Sequence, residues 1–183
     1  PWKGSVESNQ PGVRISLSPC YSQIMKIKKE LIIKFYNLLY NEDLDIKKKY
    51  SIFSKIFYDL SGDDAWKVNW ITKKSLKKYS ENNFRFTQGM QRSHVVNRIE
   101  TLTKIFEKNK LNDETLMKTI IENDKTVLMT KEEHSSRNIS KKFDIDTTLN
   151  LFRPKMIGYH FTIGKEGAYL KDLYTKHKEE LSD

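Results

Sequence analysis

Lys125-Thr126-Val127-Leu128-Met129-Thr130-Lys131-Glu132-Glu133-His134-Ser135-Ser136-Arg137-Asn138 reads as a short strand, a tight junction and a helix. Thr126–Met129 is a β-branched and apolar run with the length of a strand and too short to be a helix of its own. Thr130, followed three residues later by Glu133, is a capping box. The threonine hydroxyl takes the amide of Glu133, and the glutamate reaches back to the amide of Thr130. The pattern predicts a helix from Lys131 to about Lys142. His134 and Asn138 then stand at i, i+4 on one face.

Outward from that stretch the chain is mostly helical in pattern. Ile24, Ile27, Leu31, Phe35 and Leu38 space one helix over about 22–40, and Tyr50, Phe53, Ile56, Phe57 and Leu60 a second over 45–60. These aromatic stripes are read as packing, and the two helices are expected to form most of the core. Val13, Ile15 and Leu17 alternate with polar residues as a strand does. Gly62-Asp63-Asp64 belongs to a turn, 65–71 to a strand, and Thr72 caps a basic helix over 73–79. Short strands are expected at 84–86 and 93–96, and helices at 98–108 and from Asn112. A short helix is expected at 147–152, a strand at 156–163, a turn at Gly164 and Gly167, and a last helix over 168–181. No repeat or low-complexity segment is visible. The expectation is one α+β domain over 1–183, mainly helical, with a small ββα unit.

Composition narrows the function. Lys and Arg number 33 against 24 Asp and Glu, a net charge of +9, which points to an anionic partner, nucleic acid first. The alternative is a lysine-rich solvated surface. Cys20 is the one cysteine, so an internal disulfide and a cysteine-rich zinc site are excluded and a reducing, cytoplasmic or intracellular setting is expected. No apolar run approaches about 18 residues, so no membrane span and no membrane partner are expected. Oligomeric state is not legible in the sequence. There is no Gly-rich phosphate loop and no nucleophile elbow.

Two of the four histidines have chemistry-bearing neighbours. His177 lies in a charged helix and His160 in an apolar strand pattern. His94 sits in Arg92-Ser93-His94-Val95-Val96-Asn97-Arg98, and His134 heads the helix described above. An imidazole and an amide on one helix face can share a divalent cation, and a nearby strand-borne histidine can take a proton from water. Arginines are scarce, six in all, yet Arg85, Arg92 and Arg98 fall close together and Arg137 lies beside His134. Arginine is the side chain for bidentate phosphate contact. Lys73, Lys74, Lys77 and Lys78, near Trp66 and Trp70, are expected to extend a phosphate-tracking surface, the alternative being a solvated helix face.

Residues 92–138 resemble the HNH, or ββα-metal, endonuclease motif. Ser93-His94-Val95-Val96 is similar to its first strand, and Asp124 to Asn138 to its second strand and metal helix. The resemblance implies a nuclease core over about 84–142 with inserted helices over about 98–122. It implies His94 as general base, aided by Asn123. It implies His134, Asn138 and Asp124 as ligands of a divalent metal, Mg²⁺ first, and Arg85, Arg92, Arg98 and Arg137 as nucleic-acid contacts. Ser93 stands where that family often has a ligating Asp or His. The function so implied is metal-dependent hydrolysis of phosphodiester bonds, with DNA ahead of RNA. The rival class is a non-catalytic basic nucleic-acid-binding or interaction domain. A further nuclease pattern, Asp63-Asp64 with Lys67, has its acid and lysine three apart where the PD-(D/E)xK core needs two.

Overall fold

The computed structural model describes residues 19–61, 67–107, 109–153, 155 and 158–182, with side chains from Lys28 to Leu60 and through the later spans. The fold is α+β and mainly helical. Helices α1 (Pro19–Asn41) and α2 (Ile46–Ser61) come first, then β1 (Val68–Thr72) and α3 (Lys73–Glu81). Next come β2 (Met90–His94), α4 (Arg98–Glu107), α5 (Asp113–Asn123), β3 (Thr126–Thr130) and α6 (Lys131–Ser136). The chain closes with β4 (Lys142–Asp144), a 3-10 turn (Thr147–Leu149), α7 (Lys165–Lys176) and α8 (Lys178–Leu181). Among the described residues no helix is long and apolar enough to cross a membrane.

The four strands form one sheet in the order β2-β3-β1-β4. β3 runs parallel to β1 and antiparallel to β2, and β4 is antiparallel to β1. The two parallel strands end alike. Ile71-Thr72-Lys73 and Met129-Thr130-Lys131 both pass from strand into helix through a threonine N-cap in extended conformation. Each hydroxyl takes the amide three residues on, so adjacent strands start helices side by side.

Two apolar clusters hold the molecule. The first lies against the sheet, where Ile71, Leu128 and Phe143 pack with Leu76 and Tyr79 of α3 and Leu170 and Leu173 of α7. The second is built from α1, α2, α4 and α5 around Tyr36, Phe53, Phe57, Ile105, Leu116 and Ile120. Each such buried side chain stabilises by roughly 1.5–3 kcal/mol. The N-terminal helices therefore supply only part of one of two clusters, sharing it with α4 and α5, because the strands supply an apolar face of their own. Buried Tyr36 keeps its hydroxyl satisfied by donating to the Ile105 carbonyl at 3.1 Å and accepting from the Leu111 amide at 3.0 Å.

Several local expectations change. The helix after β3 ends at Ser136, with Arg137 in the left-handed region at φ 56°. The chain then turns back, Ser140 bonds to Glu133, and Lys142–Asp144 pairs as β4. Residues 84–86 form no strand, and the chain turns over 82–84 with Asn83 and Phe84 at positive φ. The segment expected as a strand over 156–163 holds only an isolated bridge at Tyr159 among its described residues. Two of its amides are taken elsewhere, since Thr162 N donates to the buried Glu166 carboxylate and His160 N to the Arg153 carbonyl. Gly167 sits inside α7, where a Cβ would meet the Phe84 carbonyl oxygen at 2.6 Å. The strand pattern at 13–17, the acids Asp63 and Asp64, and Trp66 lie outside the described residues.

Candidate nucleic-acid interface and proton-transfer cluster

β2 and β3 pair over their full lengths, from Met90 opposite Thr130 to His94 opposite Thr126. This register sets His94 beside the junction of α5 and β3. Asp124, the residue that ends α5, places Oδ1 3.2 Å from His94 Nε2. Arg98, in the first turn of α4, donates from Nη2 to the same nitrogen at 2.9 Å and stands 3.7 Å from Asp124 Oδ1. Its guanidinium lies 3.7 Å from the centre of the Tyr58 ring on α2. His94 and Asp124 side chains are only 13% and 12% exposed, so these charges interact through little water.

The protonation logic of this cluster is specific. With Arg98 donating, Nε2 is an acceptor and carries its lone pair. With a proton on Nε2, the ring instead donates to Asp124. One nitrogen thus has a waiting partner in each state. Burial lowers the pKa of Arg98, and burial with the neighbouring Arg98 charge pushes Arg92 down to about 10. Asp124 is the carboxylate that steadies both. Burial, reinforced by the negative charge of Asp124, raises the Tyr58 phenol. Two crowded guanidiniums beside one carboxylate leave net positive charge in a partly dehydrated place, which favours an added anion.

His94 and Arg98 open onto a groove of about 930 Å³ that runs between the β2–α4 junction and α6. Its other wall carries His134 and Arg137, and Ser93, Asn97 and Tyr50 also line it. α6 is fixed there by Glu133, which is 1% exposed and accepts from Thr72 Oγ1 at 2.7 Å, Thr130 N at 3.0 Å and Ser140 N at 3.1 Å.

The remaining sequence-derived residues are not gathered in the groove. Asn123 donates to the Thr119 carbonyl at 2.8 Å and faces a small void between α2, α4 and α5. Asp124 backs His94 from that same side. Asn138 is exposed beyond the end of α6, so it does not share a helix face with His134. The reason is the reversal at Arg137, which returns Ser140 to Glu133. Arg85 is exposed in the turn after α3, and Arg92 is half-buried near Arg98. Among the described residues no three His, Cys, Asp or Glu side chains gather so as to hold a metal ion. Sequence reasoning missed Tyr58, which stands outside the apolar stripe of its helix, and read Tyr50 on that stripe as packing. Tyr58 does double duty, packing the helix and bearing the guanidinium. No family model, curated protein or solved structure matches the chain.

Proposed function

We propose that the groove binds the phosphate backbone of a nucleic acid, DNA before RNA, and that the chain hydrolyses a phosphodiester bond there. The observation that carries this reading is the His94–Asp124–Arg98 cluster opening onto one groove with His134 and Arg137. A phosphate in the groove competes with His94 for the Arg98 guanidinium. Drawing Arg98 away uncovers the Nε2 lone pair, which takes a proton from the water as its oxygen bonds to phosphorus and one ester P–O bond breaks, the leaving oxygen taking its proton from solvent. The imidazolium so formed lies beside Asp124, whose Oδ1 is 3.2 Å from Nε2. The Asp124 carboxylate stabilises that imidazolium by its charge. Arg98 and Arg137 hold the charge that grows on phosphorus oxygens. This arrangement keeps His94 masked until an anion arrives.

A second reading, a non-catalytic nucleic-acid-binding domain, is favoured by the engagement of His94 Nε2 with two protein partners. Incubation of supercoiled plasmid with the chain, in Mg²⁺ and in EDTA, separates the two. Nicking that His94→Ala abolishes, with DNA affinity retained, supports hydrolysis. Salt-sensitive binding without nicking in either condition sinks the hydrolytic reading and leaves the binding domain.

A further inference from the structure

The sheet carries a second feature outside the groove. Trp70 on β1 pairs with Val127 of β3 on one side and with Asp144 of β4 on the other, and Val127 pairs with Ser93 of β2. Residues paired across strands point to the same face, so Ser93, Val127, Trp70 and Asp144 form one row. Ser93 already lines the groove. Trp70 stands two strands away, about 10 Å by sheet spacing.

Trp70 is a partly exposed aromatic on a central strand, and its ring is held in place. The indole Nε1–H donates to Asp144 Oδ1 at 2.8 Å. Two ammonium groups flank the ring, Lys142 Nζ at 4.9 Å and Lys125 Nζ at 5.8 Å from its centre. Both lysines are exposed. Lys125 follows Asp124 directly, so the platform and the His94 cluster are joined through the start of β3. A hydrogen-bonded indole edged by exposed cations fits an unpaired base stacked on the ring with its phosphates on the lysines. The bases of a duplex are stacked on each other and have no free face to offer.

We propose that Trp70, with Lys125 and Lys142, is a stacking platform for single-stranded nucleic acid, so that a strand leaving the groove lays one base on the indole. On binding, an ammonium moves from the ring to a phosphate and the base takes its place. The ring exchanges a cation contact for a stacking contact, while the lysine exchanges it for a phosphate. This inference rests on the nucleic-acid reading above and narrows its substrate to strands with an unpaired segment.

Fluorescence anisotropy with a labelled oligothymidylate of about twelve nucleotides, within the usual span of single-strand sites, tests it against a duplex of equal length. Trp70→Ala should weaken single-strand binding by about tenfold or more, the size of one lost base stack, and leave duplex binding unchanged. Trp70→Phe, which keeps an aromatic face, should recover most of that loss. Lys142→Gln should lower the slope of log affinity against log salt by about 0.7. Unchanged single-strand affinity in Trp70→Ala overturns the platform. So does a Trp70→Phe variant as weak as the alanine one while both melt like the wild type. Wild-type binding to duplex alone also overturns it and leaves the groove reading standing, whereas binding to neither probe overturns both. Polyglutamate bound as tightly as the oligonucleotide, with the same dependence on Trp70, would assign the surface to an acidic protein instead.

Discussion

Removing the carboxylate of Glu133 should loosen the whole α6 wall of the groove. Its oxygens accept from the amides of Thr130 and Ser140 and from the hydroxyls of Thr72 and Ser140. In Glu133→Ala both hydroxyls can turn to other partners, but the two amides cannot. A buried donor left without a partner costs about 1–3 kcal/mol, so two amides and a partly lost cap give about 3–5 kcal/mol. A domain of this kind has about 5–15 kcal/mol in hand. At about 2–4 °C per kcal/mol for this chain length, Tm should fall by about 6–20 °C. Glu133→Gln keeps the shape but turns an NH₂ toward a donor, and it should fall by less. The acid dependence gives a second readout. Burial opposes ionisation of Glu133, yet hydrogen bonds from Ser140, Thr72 and Thr130 outweigh it and hold the carboxyl below its ordinary value. A depressed folded pKa stabilises fully above the unfolded value of about 4.3 and is lost as pH falls through the folded one. The stability gap between wild type and Glu133→Gln should therefore shrink below about pH 4. Urea or thermal unfolding between pH 3 and 7 measures it. A Tm drop under about 2 °C in Glu133→Ala, or a gap indifferent to acid, would refute the account.

The groove yields three shorter predictions. His94→Ala should remove nicking at unchanged DNA affinity, whereas His134→Ala, on the opposite wall, should reduce cleavage; single-turnover cleavage beside a binding isotherm checks both, and wild-type rates in both variants would end the hydrolytic reading. Arg98→Ala should weaken duplex binding and lower its salt slope by about 0.9, the share of one phosphate contact, as a salt titration of binding would report. Gly167→Ala sets a Cβ against the Phe84 carbonyl oxygen, where the nearest atom is backbone and cannot swing away. It should cost about 1–3 kcal/mol and appear as a Tm drop of about 2–12 °C without loss of salt-dependent DNA binding.

Local chemistry sufficed for much of the fold. Thr72 and Asn112 cap helices at the residues their side chains mark, because a cap is made within three residues of itself. The capping box of Thr130 and Glu133 forms for the same reason, and its parts are adjacent in the sequence. Strand β3 is legible as an apolar run because all five of its residues are buried. Net charge and scarce, clustered arginines gave the anionic partner its place as an expectation on composition alone.

Whatever depends on distant partners was decided by the tertiary structure. The end of α6 is the clearest case. Nothing between Ser136 and Ser140 forbids a helix, but the second oxygen of Glu133 captures Ser140 and Lys142–Asp144 pairs with β1, which parts His134 from Asn138. Strand β4 has a single buried side chain, Phe143, so its period-2 signal is too short to read. His94, Arg98 and Asp124 span thirty-one residues and meet only because β2 and β3 pair in one register, with α4 and α5 folded between them. Tyr58, from a helix forty residues away, completes the cluster for a reason no spacing encodes: its ring is both core and cation seat. Periodicity records which face a side chain occupies, and pairing across strands and between helices records whom it meets there.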